Sequence, residues 1–163
     1  MKKLLHLSLL ILGFSSYGQE LSLNDLLRFH EGNIDQIQRT LTEKKWDLVE
    51  TSKPEAGKMG EIIYAYDQSN SSYAANSFLR YLYGPYDDTT NRINLQVSSK
   101  NHFFSILESV KHQNIPLIDV EKKDKETIET YQDTTTTYRF TTDNKEVFSI
   151  LILSNKDYNL NYK

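Results

Sequence analysis

Apolar and polar residues alternate strictly over residues 92–98, and this period of two predicts a half-buried strand. Over residues 99–113 the apolar positions take a helical spacing, which predicts an amphipathic helix. The apolar face of that helix contains Phe103, Ile106, Leu107 and Val110. Pro116 cannot continue a helix, and residues 115–121 read as a further strand. The stretch therefore predicts a strand, a helix and a second strand in succession.

A similar helix and strand occur earlier in the chain at a constant spacing. Ile34 corresponds to Phe103 and Glu50 to Asp119, in each case 69 positions apart. Strand-like segments follow each unit in the same order, at residues 60–67 and 126–133, then 78–83 and 135–140, then 92–99 and 147–155. We interpret this pattern as two copies of one helix plus four strands.

The pattern predicts an α+β fold, built as a tandem repeat of a helix plus a four-stranded antiparallel meander. The sheet would have about eight strands, with the helices on one face. We expect a single domain over residues 19–163, with repeats at about 20–99 and 100–163. Residues 73–83 fit a helix or a strand, and their repeat counterpart favours a strand. Trp46, the only tryptophan, is expected to be buried between its helix and its strand.

The first 18 residues have the pattern of a signal peptide. Lys2 and Lys3 precede an apolar run, residues 4–14, and small residues at Ser16 and Gly18 suit cleavage after Gly18. The apolar run is too short to cross a bilayer, which takes about 20 residues. No cysteine lies near the cut to carry a lipid. The expected product is exported, either periplasmic or secreted, with no membrane anchor after cleavage.

Charge and cysteine content exclude some functions. The full chain has 19 basic and 22 acidic residues. Removal of residues 1–18 takes away two lysines and no acid, which leaves 17 basic residues against the same 22 acidic ones. This mildly acidic balance, without a basic patch, argues against a nucleic-acid partner. The absence of cysteine excludes disulfides and thiol chemistry, so the core alone must stabilise the fold.

Two resemblances bear on the expected class. The short signal followed by Gln19 and Glu20 resembles exported proteins of Bacteroidetes-type bacteria. The whole chain resembles the uncharacterised exported proteins found there, for which no activity is known. The tandem helix and four-strand pattern is similar to the architecture of periplasmic β-lactamase-inhibitor and small outer-membrane assembly-factor folds. That likeness concerns topology, which implies a fold and not an activity.

Candidate catalytic chemistry is sparse. The chain after residue 18 has three histidines, His30, His102 and His112, without paired zinc-ligand spacing, and we expect no metal or other cofactor. There is no glycine-rich phosphate loop and no GxSxG pattern. The alternative to a binding protein is a small hydrolase or lyase in which His30 or His102 acts with nearby carboxylates.

Residues 147–153 are apolar on both faces of their predicted strand. Val147, Leu151 and Leu153 lie on one face, and Phe148, Ile150 and Ile152 lie on the other. One row must belong to the core. The other row needs a second cover, from a loop, another subunit or an exported partner.

The function that these features favour is a non-enzymatic binding module that uses a face of its sheet. Eleven tyrosines occur, and several fall on predicted strands, where exposed aromatic rows bind glycans, peptides or proteins. The alternative is that tyrosines on these strands point inward. The predicted binding residues are Tyr64, Tyr66, Tyr131, Phe148, Ile150 and Ile152. The expected partner is a protein or glycan of the cell envelope, or a second copy of the chain.

Overall fold

The computed structural model describes residues 20–68, 75–84, 91–144 and 147–163, which form one antiparallel sheet of eight strands and four helices. The helices are α1 (Leu23–Glu31), α2 (Ile34–Glu43), α3 (Lys100–His112) and α4 (Asn155–Asn161). The strands are β1 (Trp46–Ser52), β2 (Gly60–Gln68), β3 (Ala75–Tyr83), β4 (Arg92–Val97), β5 (Leu117–Lys123), β6 (Glu126–Gln132), β7 (Thr136–Asp143) and β8 (Phe148–Ser154). The predicted α+β class is confirmed. The signal-peptide prediction for residues 1–18 lies outside the described residues.

Each helix begins at a side chain that caps its free amide groups. Ser22 and Asp25 form a reciprocal capping box at α1, in which the Ser22 amide donates to the Asp25 carboxylate over 2.9 Å. Asn33, Ser99 and Ser154 cap the other three helices through their side-chain oxygens. The helix starts are therefore encoded by single polar residues.

The order of the strands places two four-stranded meanders side by side. The order across the sheet is β1-β2-β3-β4-β8-β7-β6-β5, and all pairs are antiparallel. The two meanders join where β4 pairs with β8. In this ladder Ile93 lies opposite Ile152, and Leu95 lies opposite Ile150. The edges of the sheet are β1 and β5.

The two meanders share irregular features at matching positions. β1 has a bulge between Leu48 and Glu50, and β5 has one between Leu117 and Asp119. The turn before each of these strands contains a residue in the left-handed region, at Lys45 (φ 61°) and Asn114 (φ 56°). Both pairs of features keep the spacing seen in the sequence. They are what two copies of one unit would show, and the duplication itself stays a prediction.

Three helices cover one face of the sheet, which we call the helix-packed face. The buried residues of α1, α2 and α3 form a single core with that face of the strands. The ring of Phe103 on α3 lies 5.1 Å from that of Phe148 and 5.6 Å from that of Phe140, measured between centroids. Trp46 is buried in the same core, as predicted. Residues 75–83 form a strand, also as predicted.

The C-terminal helix α4 packs on the opposite face of the sheet, which we call the second face. The Asp157 carboxylate of α4 accepts two bonds from the Arg92 guanidinium, one of 2.8 Å between Nη2 and Oδ1. Arg92 alternates with Ile93, whose side chain belongs to the helix-packed core, so Arg92 points to the other side. The sequence analysis did not predict α4.

The assignment of the two faces predicts opposite outcomes at neighbouring residues. Ile150→Asp places an unpaired carboxylate in the helix-packed core, and we expect a loss of at least about 4 kcal/mol of unfolding free energy or no folded protein. Leu151→Asp places the same charge on the half-buried second face and is expected to leave the fold intact. Urea denaturation followed by circular dichroism measures both variants. Equal loss of stability in the two would contradict this assignment.

Candidate functional site

Five of the six predicted binding residues belong to the core and do not form a surface. Their relative exposure is at most 6%, and they lie on the helix-packed face. These residues are Tyr64, Tyr131, Phe148, Ile150 and Ile152. The physical reason is that α1 and α3 cover this side of β4 and β8. The prediction that they contact a partner is therefore wrong for the folded chain, and Tyr66 alone is partly exposed.

The row that does reach the surface is the other row of β8. Leu153 is fully buried beneath α4, Leu151 is half-buried, and Val147 is 38% exposed. The second cover that β8 requires is thus supplied in part by the chain itself. Because α4 has only seven residues, it covers one end of the second face and leaves the rest open.

The uncovered part of the second face, which we call the open region, combines apolar and polar side chains. Its half-buried or exposed members are Ile63, Phe78, Asn94, Gln96, Val147, Ser149 and Leu151. Ser149 donates a 2.9 Å hydrogen bond to Asn94 Oδ1 across the β4–β8 ladder. Phe78, Gln96 and Val147 line a shallow depression at one end.

Two arginines hold α4 in place beside the open region. Arg92 pairs with Asp157, and the Arg139 guanidinium lies 4.5 Å from the centre of the Tyr162 ring. Arg139 Nη2 also donates to Glu121 Oε1 over 2.6 Å. Such charge-assisted and cation–π contacts are strongest where water is excluded, as at Asp157, whose side chain is 9% exposed. The second face is therefore an ordered surface, with α4 as a fixed wall at one end.

A separate cavity opens at the end of β1–β4, near the start of the described chain. It has a volume of about 280 Å³. Its lining consists of Glu20, Trp46, Tyr66, Asn76, Ser77, Ser98, Ser99 and His102. The rings of Trp46 and Tyr66 lie 5.5 Å apart. Burial, together with the nearby charges of Asp67 and Glu20, raises the pKa of Tyr66 above its usual value.

Neither candidate catalytic histidine touches a carboxylate. His102 Nε2 lies 2.7 Å from the Leu21 carbonyl oxygen, to which it donates, so this ring fixes the N-terminal segment. His30 Nδ1 is shielded from water and has no hydrogen-bond partner. Asp133 and Asp157 act on His30 only as nearby charges. The described residues thus give the hydrolase or lyase alternative no assembled acid–base pair.

Within the described ranges, no three histidine or acidic side chains come together as metal ligands. In the same part of the chain, no helix is long and apolar enough to cross a bilayer.

Sequence reasoning missed α4 and the cavity. A signal for α4 was available, because Ser154 precedes Asp157 by three residues, as Ser22 precedes Asp25 at α1. In the structure the Asp157 amide donates to Ser154 Oγ over 3.1 Å. The cavity had no sequence signal, since its lining comes from five separate segments of the chain.

Comparison with known proteins yields no relative for this geometry. The chain matches no protein family, and the searches of curated proteins and of solved structures found no significant similarity. The resemblances drawn from the sequence therefore stay expectations, and function has to be argued from the surfaces themselves.

His30 predicts a specific pH dependence of stability. Burial lowers its pKa from the ordinary value of about 6.5, although the Asn91 backbone and the charges of Glu31, Asp157 and Asp133 oppose this shift. The unfolded chain therefore takes up a proton at a higher pH than the folded chain does. The unfolding free energy should fall as the pH drops below about 6.5.

The variant His30→Phe removes this group, and the fall in unfolding free energy between about pH 7 and pH 5 should become smaller. His112→Phe, at the exposed end of α3, is the matched control and should keep the wild-type slope. The lowered pKa values of Asp25 and Asp133 act at more acidic pH and do not interfere. Identical slopes in wild type and His30→Phe would refute the assignment.

Proposed function

We propose that this chain is an exported, non-enzymatic binding protein that holds another folded protein on the open region of its second sheet face. The observation that carries the proposal is the apolar row of β8 beside α4. Leu153 is fully buried by α4, whereas Leu151 and Val147 on the same row are not. A partly exposed row that continues directly from a buried one is typical of a surface that a partner completes.

The dimensions of the open region suit a protein. It spans β2–β4 and the first half of β8, and four strands at about 4.8 Å spacing are about 19 Å wide. Strands of six residues are about 20 Å long, so the region covers roughly 400 Å² in projection before side-chain relief is counted. A standard protein interface buries about 800 Å² on each partner. A small molecule would use only a fraction of this area.

The composition of the open region favours a separate partner over a permanent dimer. Ile63, Phe78 and Leu151 alternate with Asn94, Gln96 and other polar groups. Arg80 and Glu61 form an ion pair on the same face. Obligate dimer interfaces resemble a core cut in half, whereas interfaces that form between independently stable proteins are mixed in this way. The mixed surface therefore supports a partner that folds by itself.

The proposal predicts that single charged substitutions in the open region abolish binding without unfolding the chain. The purified protein is immobilised and exposed to envelope extracts, and retained proteins are compared between variants. Phe78→Asp and Leu151→Asp should each reduce the retained partner by at least about tenfold, because an apolar contact is replaced by a desolvated charge. Circular dichroism checks that each variant is folded.

The matched control is Phe104→Asp, which changes an exposed aromatic residue on α3, on the other side of the sheet. It should retain the same partner as wild type. Retention that is unchanged in both open-region variants would refute the proposal. A concentration-dependent mass in light scattering that Phe78→Asp abolishes would instead identify a second copy as the occupant and would overturn the choice of a separate partner.

A further inference from the structure

The cavity at the end of β1–β4 exists because one residue in a row of large side chains is small. Trp46, Tyr66, Ser77 and Val97 lie opposite one another on neighbouring strands and point to the helix-packed face. Ser77 stands where Leu79 fills the next row on the same face of β3. Among the residues that the structure describes, none fills the space above Ser77, and Trp46 and Tyr66 lie on one side of it.

The polar groups around this space can both donate and accept hydrogen bonds. Ser98 Oγ donates to the Asn76 carbonyl oxygen over 3.0 Å, which leaves it an acceptor, and Ser99 Oγ accepts from the His102 amide over 3.2 Å, which leaves it a donor. Ser77 contributes a third hydroxyl. Glu20 lines the cavity with a carboxylate that makes no ion pair within the described part of the chain. No lysine or arginine is among the lining residues, so the Glu20 carboxylate makes the lining better suited to a neutral ligand than to an anion.

We propose that this cavity is a binding site for a single non-anionic, polyhydroxylated ring of monosaccharide size. The C–H face of such a ring packs against an aromatic side chain, which Tyr66 supplies. Its hydroxyls donate and accept at once, as the serines and the carboxylate of the lining require. The site is separate from the open region, so a test of this proposal does not depend on the proposed protein partner.

The size of the cavity limits the ligand. Pockets that enclose drug-sized molecules have volumes of about 300–1,000 Å³, and the cavity of about 280 Å³ lies just below that range. It accepts one sugar ring and excludes a buried oligosaccharide or a protein side-chain cluster. A longer glycan can enter only through one terminal residue.

Trp46 is the only tryptophan and lines the cavity, so its fluorescence reports occupancy. The probes are methyl glucoside, methyl galactoside and methyl mannoside, titrated into the purified protein. Glucuronate has the same ring with a negative charge. We expect its affinity to be at least about threefold lower than that of methyl glucoside, because its carboxylate approaches the Glu20 carboxylate. Cyclohexanol has a similar ring without the hydroxyl array and should give no saturable change.

Variants separate a specific site from a general effect on fluorescence. Ser77→Leu fills the cavity and should abolish the response, and Tyr66→Ala removes the ring that packs on the sugar. The matched control is Tyr83→Ala, because Tyr83 is a half-buried tyrosine at the other end of β3. Amide NMR shifts over residues 98–102 provide a second readout that does not depend on Trp46.

The expected result is a saturable response to at least one neutral glycoside that is lost in Ser77→Leu and Tyr66→Ala and kept in Tyr83→Ala. No saturable response to any of the three glycosides would overturn the proposal. Equal binding of cyclohexanol or tighter binding of glucuronate would also overturn it, by showing an apolar or an anion-binding cavity. If Ser77→Leu fails to fold, Glu20→Ala is the second variant, and unchanged binding by folded Glu20→Ala and Tyr66→Ala would refute the site.

Discussion

The ladder between β4 and β8 is the constraint on which the rest of this structure depends. Among the described strands, it is the only pairing that connects the first meander with the second. Its paired side chains, Ile93 with Ile152 and Leu95 with Ile150, are completely buried. Both α1 and α3 pack across it, so the core of each half continues into the other. Any change that separates these two strands divides the sheet, the helix layer and the core at once.

The same ladder determines which surfaces are available for function. Because α1 and α3 cover the centre of one face, side chains of β8 that point to them cannot reach a partner. The opposite row meets only α4, whose Leu160 is 74% exposed and whose few contacts lie near one end of β8. The apolar side chains that remain accessible therefore lie on β2, β3 and the start of β8, and not at the centre of the sheet. The open region and the cavity both lie where the helix coverage stops.

Local periodicity explains how much of the fold was predictable from the sequence. Residues 92–98 alternate because one side of β4 packs on α1 and α3, whereas the other side is largely open and pairs with α4 through Arg92. The helix α3 shows its apolar face at every third or fourth residue. These patterns need no knowledge of distant contacts. The helix ends were also readable, since Ser22 and Asn114 encode a cap and a left-handed turn by their own chemistry.

The candidate site was not predictable for reasons that are equally physical. β8 is apolar on both faces, because α4 buries Leu153 on the side opposite Ile152, so alternation could not tell core from surface. The choice of the Phe148–Ile150–Ile152 row as a binding surface followed from that ambiguity. α4 itself lacks an amphipathic stripe, as Tyr158 is its only large apolar residue that is buried. The cavity depends on residues that meet only after the chain has folded.

The bulges at Leu48 and Leu117 have a consequence for how far a sheet of this kind can grow. Each meander has one regular edge, β4 or β8, and one irregular edge, β1 or β5. The regular edges are used against each other, and the bulges disrupt hydrogen bonding at the outer edges, where further strands would otherwise add. The two meanders therefore pair through their regular edges, and their bulged strands form the outer edges of the sheet. A further strand would therefore meet an irregular strand at either outer edge of the described sheet.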